Sequence, residues 1–288
     1  MKGIGRFKNP EAQQRYFDLY ERAMRESPPP DEVYDVPGRH GTTRVYRFGA
    51  GAHPVVLLPG LRGTSASYAA LIPGLARHGP VYAVDSLGEA GRSVQTAPFT
   101  GVGDRARGLD DVLAALGLRG VHLVGGSTGG WHAVNQAIHA PDRLASIALL
   151  DPTTVSAGFS AAVQWRGAAA AVLNRDSSWR RFLAWSAGED IFDQPAAQVI
   201  VAGIRAYRAR VPVQTCPRED DLRAIRVPVV ALFGGRSVVH DPAAAAANLR
   251  ALLAHAEVHV LPDAGHYLYL RPEDRQRVLD VITTTRLR

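Results

Sequence analysis

Short, mostly apolar runs recur along the chain, each parted from the next by a stretch of helical periodicity, and few folds accept that pattern. The runs are Val55–Leu58, Val81–Val84, Val121–Val124 and Ile147–Leu150. Strands this apolar are covered on both faces. The intervening stretches 66–78, 104–116 and 129–138 read as helices, with Leu109, Val112, Leu113 and Leu116 on one face of the second. Strands alternating with helices predict an α/β fold, a mainly parallel sheet with helices on both faces. Upstream, Pro10 suits the first turn of a helix over 10–26, whose Tyr16, Tyr20 and Met24 share a face. Ser27-Pro28-Pro29-Pro30 stops it, and Val33–Val36 with Arg44–Phe48 read as a hairpin.

The alternation lapses over 152–224, where helical patterns rich in Ala, Arg and Trp replace it. It resumes at Val229–Phe233 and Val258–Leu261, and a helix is expected over 272–285. Helices inserted between two strands of one sheet read as a cap. The expected organisation is an N-terminal helical extension (1–30), a core (31–151 and 225–288) and a helical cap (152–224). Trp165, Trp179 and Trp185 are expected to pack inside that cap.

Composition narrows the function classes. Of 288 residues 46% are hydrophobic, enough for a full core. Cys216 is the single cysteine, so no internal disulfide forms and no cysteine-built metal site exists. Lys and Arg total 33 against 27 Asp and Glu, for a net charge of +6. The arginines are scattered, densest at Arg105/Arg107, Arg180/Arg181 and Arg205/Arg208/Arg210. Without a block of like charge they read as solvated side chains, and no nucleic-acid partner is expected. No apolar stretch approaches the roughly 20 residues of a membrane-spanning helix, and the opening residues are not signal-like. The expectation is a cytoplasmic protein without a membrane partner, acting on a small molecule.

Gly125-Gly126-Ser127-Thr128-Gly129-Gly130 carries the strongest chemical signal. It follows an apolar run and opens a helix, the context of a nucleophile elbow. So tight a turn needs small residues around the serine and lifts its hydroxyl to a helix N-terminus, where the macrodipole favours a developing alkoxide. The competing reading is a glycine-rich anion-binding turn. A serine nucleophile needs a base. His266 lies just past the last strand, in Leu261-Pro262-Asp263-Ala264-Gly265-His266, and carboxyl ends of parallel strands share one sheet edge. His53, His78, His139 and His255 fall elsewhere; His132 and His240 are nearer but less well placed.

With these features the chain resembles the α/β-hydrolase superfamily from about residue 33 to its C-terminus. Leu57-Leu58-Pro59-Gly60-Leu61-Arg62-Gly63 is similar to that family's oxyanion loop. Asp85-Ser86-Leu87-Gly88-Glu89-Ala90-Gly91-Arg92-Ser93 is similar to its Asp-to-Ser segment with one extra residue. The resemblance implies an oxyanion hole formed by the backbone N–H groups of Leu61 and Thr128, and a cap inserted after the family's sixth strand. Pro59 stands where the family usually carries a histidine. The family's usual acid position, three residues after the glycine ending its seventh strand, holds Ser237, which cannot stabilise an imidazolium as a carboxylate does.

Two replacements compete. Asp151 ends the run Leu149-Leu150-Asp151-Pro152 on the same sheet edge as Ser127, and some relatives take their acid from that place. Asp241, followed by Pro242 and an alanine run, reads as a helix N-cap. Asp151 is the favoured acid and Asp241 the alternative; a Ser–His pair without an acid is the third possibility. Asp85 is expected to order loops, Glu89 to reach the cleft and Asp263 to shape the histidine loop. The resemblance implies a serine hydrolase, foremost a carboxylesterase acting on a small-to-medium, partly apolar ester, with no metal or organic cofactor. An acyltransferase, a thioesterase, a cofactor-free biosynthetic enzyme or an idle ligand-binding homologue are the alternatives.

Overall fold

The computed structural model describes residues 3–269 and 271–286. Met1, Lys2, Leu270, Leu287 and Arg288, which the expected extension and core include, lie outside the described residues. The N-terminal half runs β1 (Arg6–Phe7), α1 (Pro10–Met24), β2 (Glu32–Gly38), β3 (Gly41–Phe48), β4 (Val55–Leu58), α2 (Ile72–Ala76), β5 (Val81–Val84), β6 (Val94–Gln95), α3 (Val102–Ala115), β7 (Val121–Gly126) and α4 (Thr128–His139). After β8 (Leu144–Leu150) come α5 (Ala161–Leu173), α6 (Asp176–Ala187), α7 (Pro195–Ala206), β9 (Tyr207–Arg208) and α8 (Glu219–Arg223). The chain closes with β10 (Val229–Gly234), α9 (Pro242–Leu252), β11 (Glu257–Leu261) and α10 (Pro272–Arg286).

The main sheet has the order β11-β10-β8-β7-β4-β5-β3-β2, with β6 pairing β3. From β11 to β5 every neighbouring pair is parallel; β3 joins β5 antiparallel, and the β2–β3 hairpin closes that edge. Burial on both faces follows from period-two side chains. Leu57, Val124, Leu150 and Leu232 enter a core shared with α1, α2 and α10, whereas Val56, Leu58, Leu123, Leu149 and Phe233 enter one shared with α3, α4 and α9. After β5 the chain crosses back over β4 to lay down β7 on its other side. The carboxyl ends of β4 and β7 therefore flank the switch point, where open parallel sheets place their ligand crevice.

Three expectations are corrected. Residues 66–78 do not form one helix. Pro73 has no N–H to donate and sits at the start of α2, so the segment splits into a 3-10 turn at Ser65–Tyr68 and the short α2. Residues 152–224 are not wholly helical, because β9 follows α7 and pairs antiparallel with β1, Phe7 opposite Tyr207. Through β1 and α1, residues 3–30 are tied to the rest of the fold. Tyr16 and Tyr20 of α1 are fully buried, and the Tyr20 hydroxyl donates to Asp85 Oδ2 at 2.8 Å. Asp85, itself buried, also accepts from the Ser65 and Arg92 backbone N–H groups, so one carboxylate ties α1 to two loops of the sheet edge. Finally, the tryptophans of 152–224 are not uniformly core: Trp165 is 77% exposed. No helix among the described residues is long and apolar enough to cross a membrane.

Replacing Tyr20 by Phe leaves the ring packed but removes one donor from a buried carboxylate. Urea denaturation is expected to register a loss of about 1–2 kcal/mol with an unchanged slope. An unaltered midpoint would show that the α1–Asp85 link contributes nothing.

Candidate active site

Ser127 sits between β7 and α4 at φ 53°, ψ −120°. A side chain at positive φ is strained, and such residues gather where surrounding structure over-determines them. Here the surroundings are glycines. A Cβ on Gly125 would lie 2.1 Å from the Gly129 carbonyl oxygen, and one on Gly129 2.0 Å from that of Leu58. Only glycine at both positions lets α4 start against the tips of β7 and β4. Arg62, Asp151 and Thr154 also adopt positive φ, so the strain extends through the loops around the serine.

The loop after β11 brings His266 to this edge, its Nε2 3.0 Å from Ser127 Oγ. Gly234, ending β10, makes room: a Cβ there would lie 2.2 Å from the Gly265 carbonyl oxygen. His266 Nδ1 is 2.5 Å from Asp151 Oδ2. Asp151, at the end of β8 and fully buried, is the carboxylate that meets the histidine. Asp241 is exposed, and its Oδ1 accepts from the Ala244 N–H at 3.0 Å as the N-cap of α9. Ser237, at the position where the sequence lacks an acid, donates its hydroxyl to Asp151 Oδ2 at 2.7 Å. The Gly234 N–H donates to Oδ1 at 2.9 Å, and His240 Nε2 stands 3.3 Å from that same oxygen. Burial alone would push the Asp151 carboxyl up, but the two imidazoles beside it, His240 and His266, outweigh that and hold it well below the usual carboxylate range.

Leu61 and Thr128 both border the cavity that Ser127 opens into. Gly60 lets the Leu61 loop approach; a Cβ there would stand 3.3 Å from that of Ser127. Glu89 does not reach the cleft. It is buried behind this loop, accepting from the Arg62 N–H at 3.2 Å and lying 3.6 and 3.7 Å from the Arg62 and Arg105 guanidinium groups. Asp263 pairs with Arg236 at the surface. His132 lines a separate small cavity beside Arg105. No local pattern singles out Tyr68, whose hydroxyl donates to the Leu58 carbonyl (2.6 Å) and accepts from the Gly126 N–H (2.8 Å), bridging the strand tips below the serine. Nor does any flag Gln214, which accepts from the Thr128 hydroxyl and donates to the Thr153 carbonyl.

The cavity measures about 300 Å³. The inserted segment contributes Phe159, Trp179, Phe182, Leu183, Ile191 and Ile200 to its wall, and the histidine loop adds Tyr267 and Tyr269. A predominantly apolar hollow with a few convergent polar groups is the usual form of a small-molecule site.

A family model described as "Alpha/beta hydrolase family" matches residues 55–279. The chain belongs to the alpha/beta hydrolase family. Its sheet, helices on both faces and elbow are those of the α/β-hydrolase fold. Over 279 residues it is 27% identical to carboxylesterase YbfK of Bacillus subtilis, covering 93% of each chain. The crystal structure of carboxylesterase CesB (YbfK) from that organism superposes with a TM-score of 0.85 at 26% identity, covering 94% of this chain and 98% of the other. Naproxen esterase (carboxylesterase NP) from Bacillus subtilis shares the fold at a TM-score of 0.87 and 24% identity, over 96% of this chain and 99% of that one.

The glycine clearances can be tested directly. Gly125→Ala is expected to lower stability by about 2 kcal/mol or more through backbone overpacking. Gly158→Ala, whose new methyl would meet nothing within 4 Å, serves as the neutral reference. Equal melting temperatures for the two variants would show that the bend tolerates a side chain.

Proposed function

We propose that this chain is a serine carboxylesterase acting on a small-to-medium ester with an apolar acyl part. The observation that carries the reading is the continuous hydrogen-bonded line Ser127 Oγ–His266–Asp151, at 3.0 and 2.5 Å, opening into an apolar cavity. The Bacillus subtilis relatives named as carboxylesterases support it. With Asp151 accepting from Nδ1–H, the lone pair of His266 Nε2 faces the Ser127 hydroxyl and takes its proton as Oγ attacks the carbonyl carbon. The tetrahedral oxyanion is met by the Leu61 and Thr128 N–H groups, donors that act on charge present only in the transition state. His266 then protonates the departing alkoxide, the alcohol leaves, and an ester joins the acyl group to Ser127. A water molecule, deprotonated by the same nitrogen, attacks that ester, and the imidazolium returns the proton to Ser127 Oγ as its bond to the acyl carbon breaks and the acid leaves. Asp151 holds the imidazole in the required tautomer and stabilises the imidazolium. In this reading α5–α8 are a cap whose aromatic and aliphatic side chains take up the acyl group by removing apolar surface from water.

A fluorophosphonate probe is expected to label the native protein and leave Ser127→Ala unlabelled. Absence of labelling between pH 6 and 9 would sink the reading in favour of a ligand-binding role. With p-nitrophenyl esters, Asp151→Asn is expected to lower kcat by about 10³ or more, as loss of a triad carboxylate does. Asp241→Asn, which keeps a competent N-cap, is expected to lower it less than about threefold. Comparable small losses in the two variants would mean that Asp151 is not the acid.

A further inference from the structure

Asp151 faces two imidazoles. His266 meets Oδ2, and on the opposite side His240 Nε2 stands 3.3 Å from Oδ1. The His240 side chain is 1% exposed, and neither of its ring nitrogens has a hydrogen-bond partner among the described residues, Asp151 Oδ1 being within ion-pair distance of Nε2. One wall of its enclosure is the Phe233 ring, packed edge-on with centroids 5.8 Å apart. The backbone leaves little freedom here, because the next residue, Asp241, is anchored as the N-cap of α9. A buried N–H with no acceptor is costly, whereas a bare ring lone pair costs less. The ring is therefore best accommodated with its proton on Nε2, the nitrogen nearer the Asp151 carboxylate, and its lone pair on Nδ1.

We propose that His240 is a positioning residue of the site. Its Nε2–H engages Asp151 Oδ1 and sets how much of the carboxylate's charge remains to stabilise protonated His266. This rests on the reading of Ser127, His266 and Asp151 as a triad. Three hydrogen bonds and one further imidazole within 4 Å surround the carboxylate: Gly234 bonds Oδ1, Ser237 and His266 bond Oδ2, and His240 stands 3.3 Å from Oδ1. Each added donor delocalises the negative charge and weakens the pull on His266. Asp151 and His266 are the titratable groups of this buried cluster. On the flanking elements Asp241 turns its carboxylate to α9, Arg236 and Asp263 are paired with each other at the surface, and Tyr267, whose ring packs on His266, is pushed up by burial. Removing the His240 donor leaves the His266 imidazolium better stabilised, so its proton is lost at higher pH.

The test is the pH dependence of kcat/KM for ester hydrolysis. In His240→Phe the acidic limb is expected to move to higher pH by about half a unit or more. His240→Gln, whose amide nitrogen falls near Nε2, is expected to restore the native limb. A Phe profile superimposed on the native one, or a Gln profile displaced as far as the Phe profile, would overturn the proposal. A purely packing role predicts a change in melting temperature without movement of the limb. Should the Phe variant not fold, nitrogen NMR of the native, 15N-histidine-labelled protein decides the matter. His240 is expected as the Nε2–H tautomer, and finding the proton on Nδ1 would refute the assignment. Asp151→Asn and Ser127→Ala assayed in parallel separate the two levels. If they retain hydrolysis, the triad itself fails; if they lose it while the limb stays fixed, only the role of His240 does.

Discussion

The reversal from β7 into α4 is made in a single residue, and that residue is a serine held at a dihedral angle serine avoids. What holds it is the contact of three backbones, possible because Gly125 and Gly129 have no side chains to separate them. Tyr68 bridges the same elements from below, satisfying the Leu58 carbonyl and the Gly126 N–H with one buried hydroxyl. Gln214 reaches across from the segment after β9 to the Thr128 hydroxyl and Thr153. The hydroxyl of Ser127 is thus fixed before any ligand arrives, so little ordering is left to be done in the proposed reaction.

A second constraint is electrostatic. A carboxylate removed from water is stable only when its oxygens are met by donors. Asp151 is met by a backbone N–H, a hydroxyl and two imidazoles, and Asp85 by two backbone N–H groups and the hydroxyls of Tyr20 and Ser65. Glu89 instead lies between two guanidinium groups. The three acids have different tasks. Asp85 joins α1 to the loops beyond β4 and β5, Glu89 braces the Arg62 peptide next to Leu61, and Asp151 alone touches an imidazole aimed at a serine.

The strands, the elbow and the histidine loop were legible because each leaves a local trace: apolar runs bounded by turns, small residues around Ser127, a glycine before His266. Asp151 is legible as a polar residue at a strand tip, and its alternative, Asp241, as an N-cap before Pro242, which its bond to the Ala244 N–H bears out. What escaped the sequence depends on residues far apart in the chain. Tyr68 and Gly126 are 58 positions apart, and Ser237 and Asp151 are 86. The β1–β9 pair leaves no trace because two-residue strands carry no period, and the break in 66–78 lies in a stretch whose apolar residues continue on both sides of Pro73.

The proposed placement of the acid at Asp151 has a geometric explanation in the sheet. β8 and β10 are parallel neighbours, and the Asp151 N–H bonds the Leu232 carbonyl, so residues just past the two strands emerge side by side. Ser237 and Asp151 consequently meet at 2.7 Å although they leave different strands. A carboxylate is needed at one place in space, and either strand tip can supply it. With Asp151 there, a second carboxylate at 237 would force two negative charges together in a buried site, at the energetic cost of protonating one of them. A hydroxyl at 237 avoids that repulsion and donates to the same oxygen that faces His266. The serine that looks like a missing acid is therefore the residue type that the carboxylate of Asp151 requires beside it.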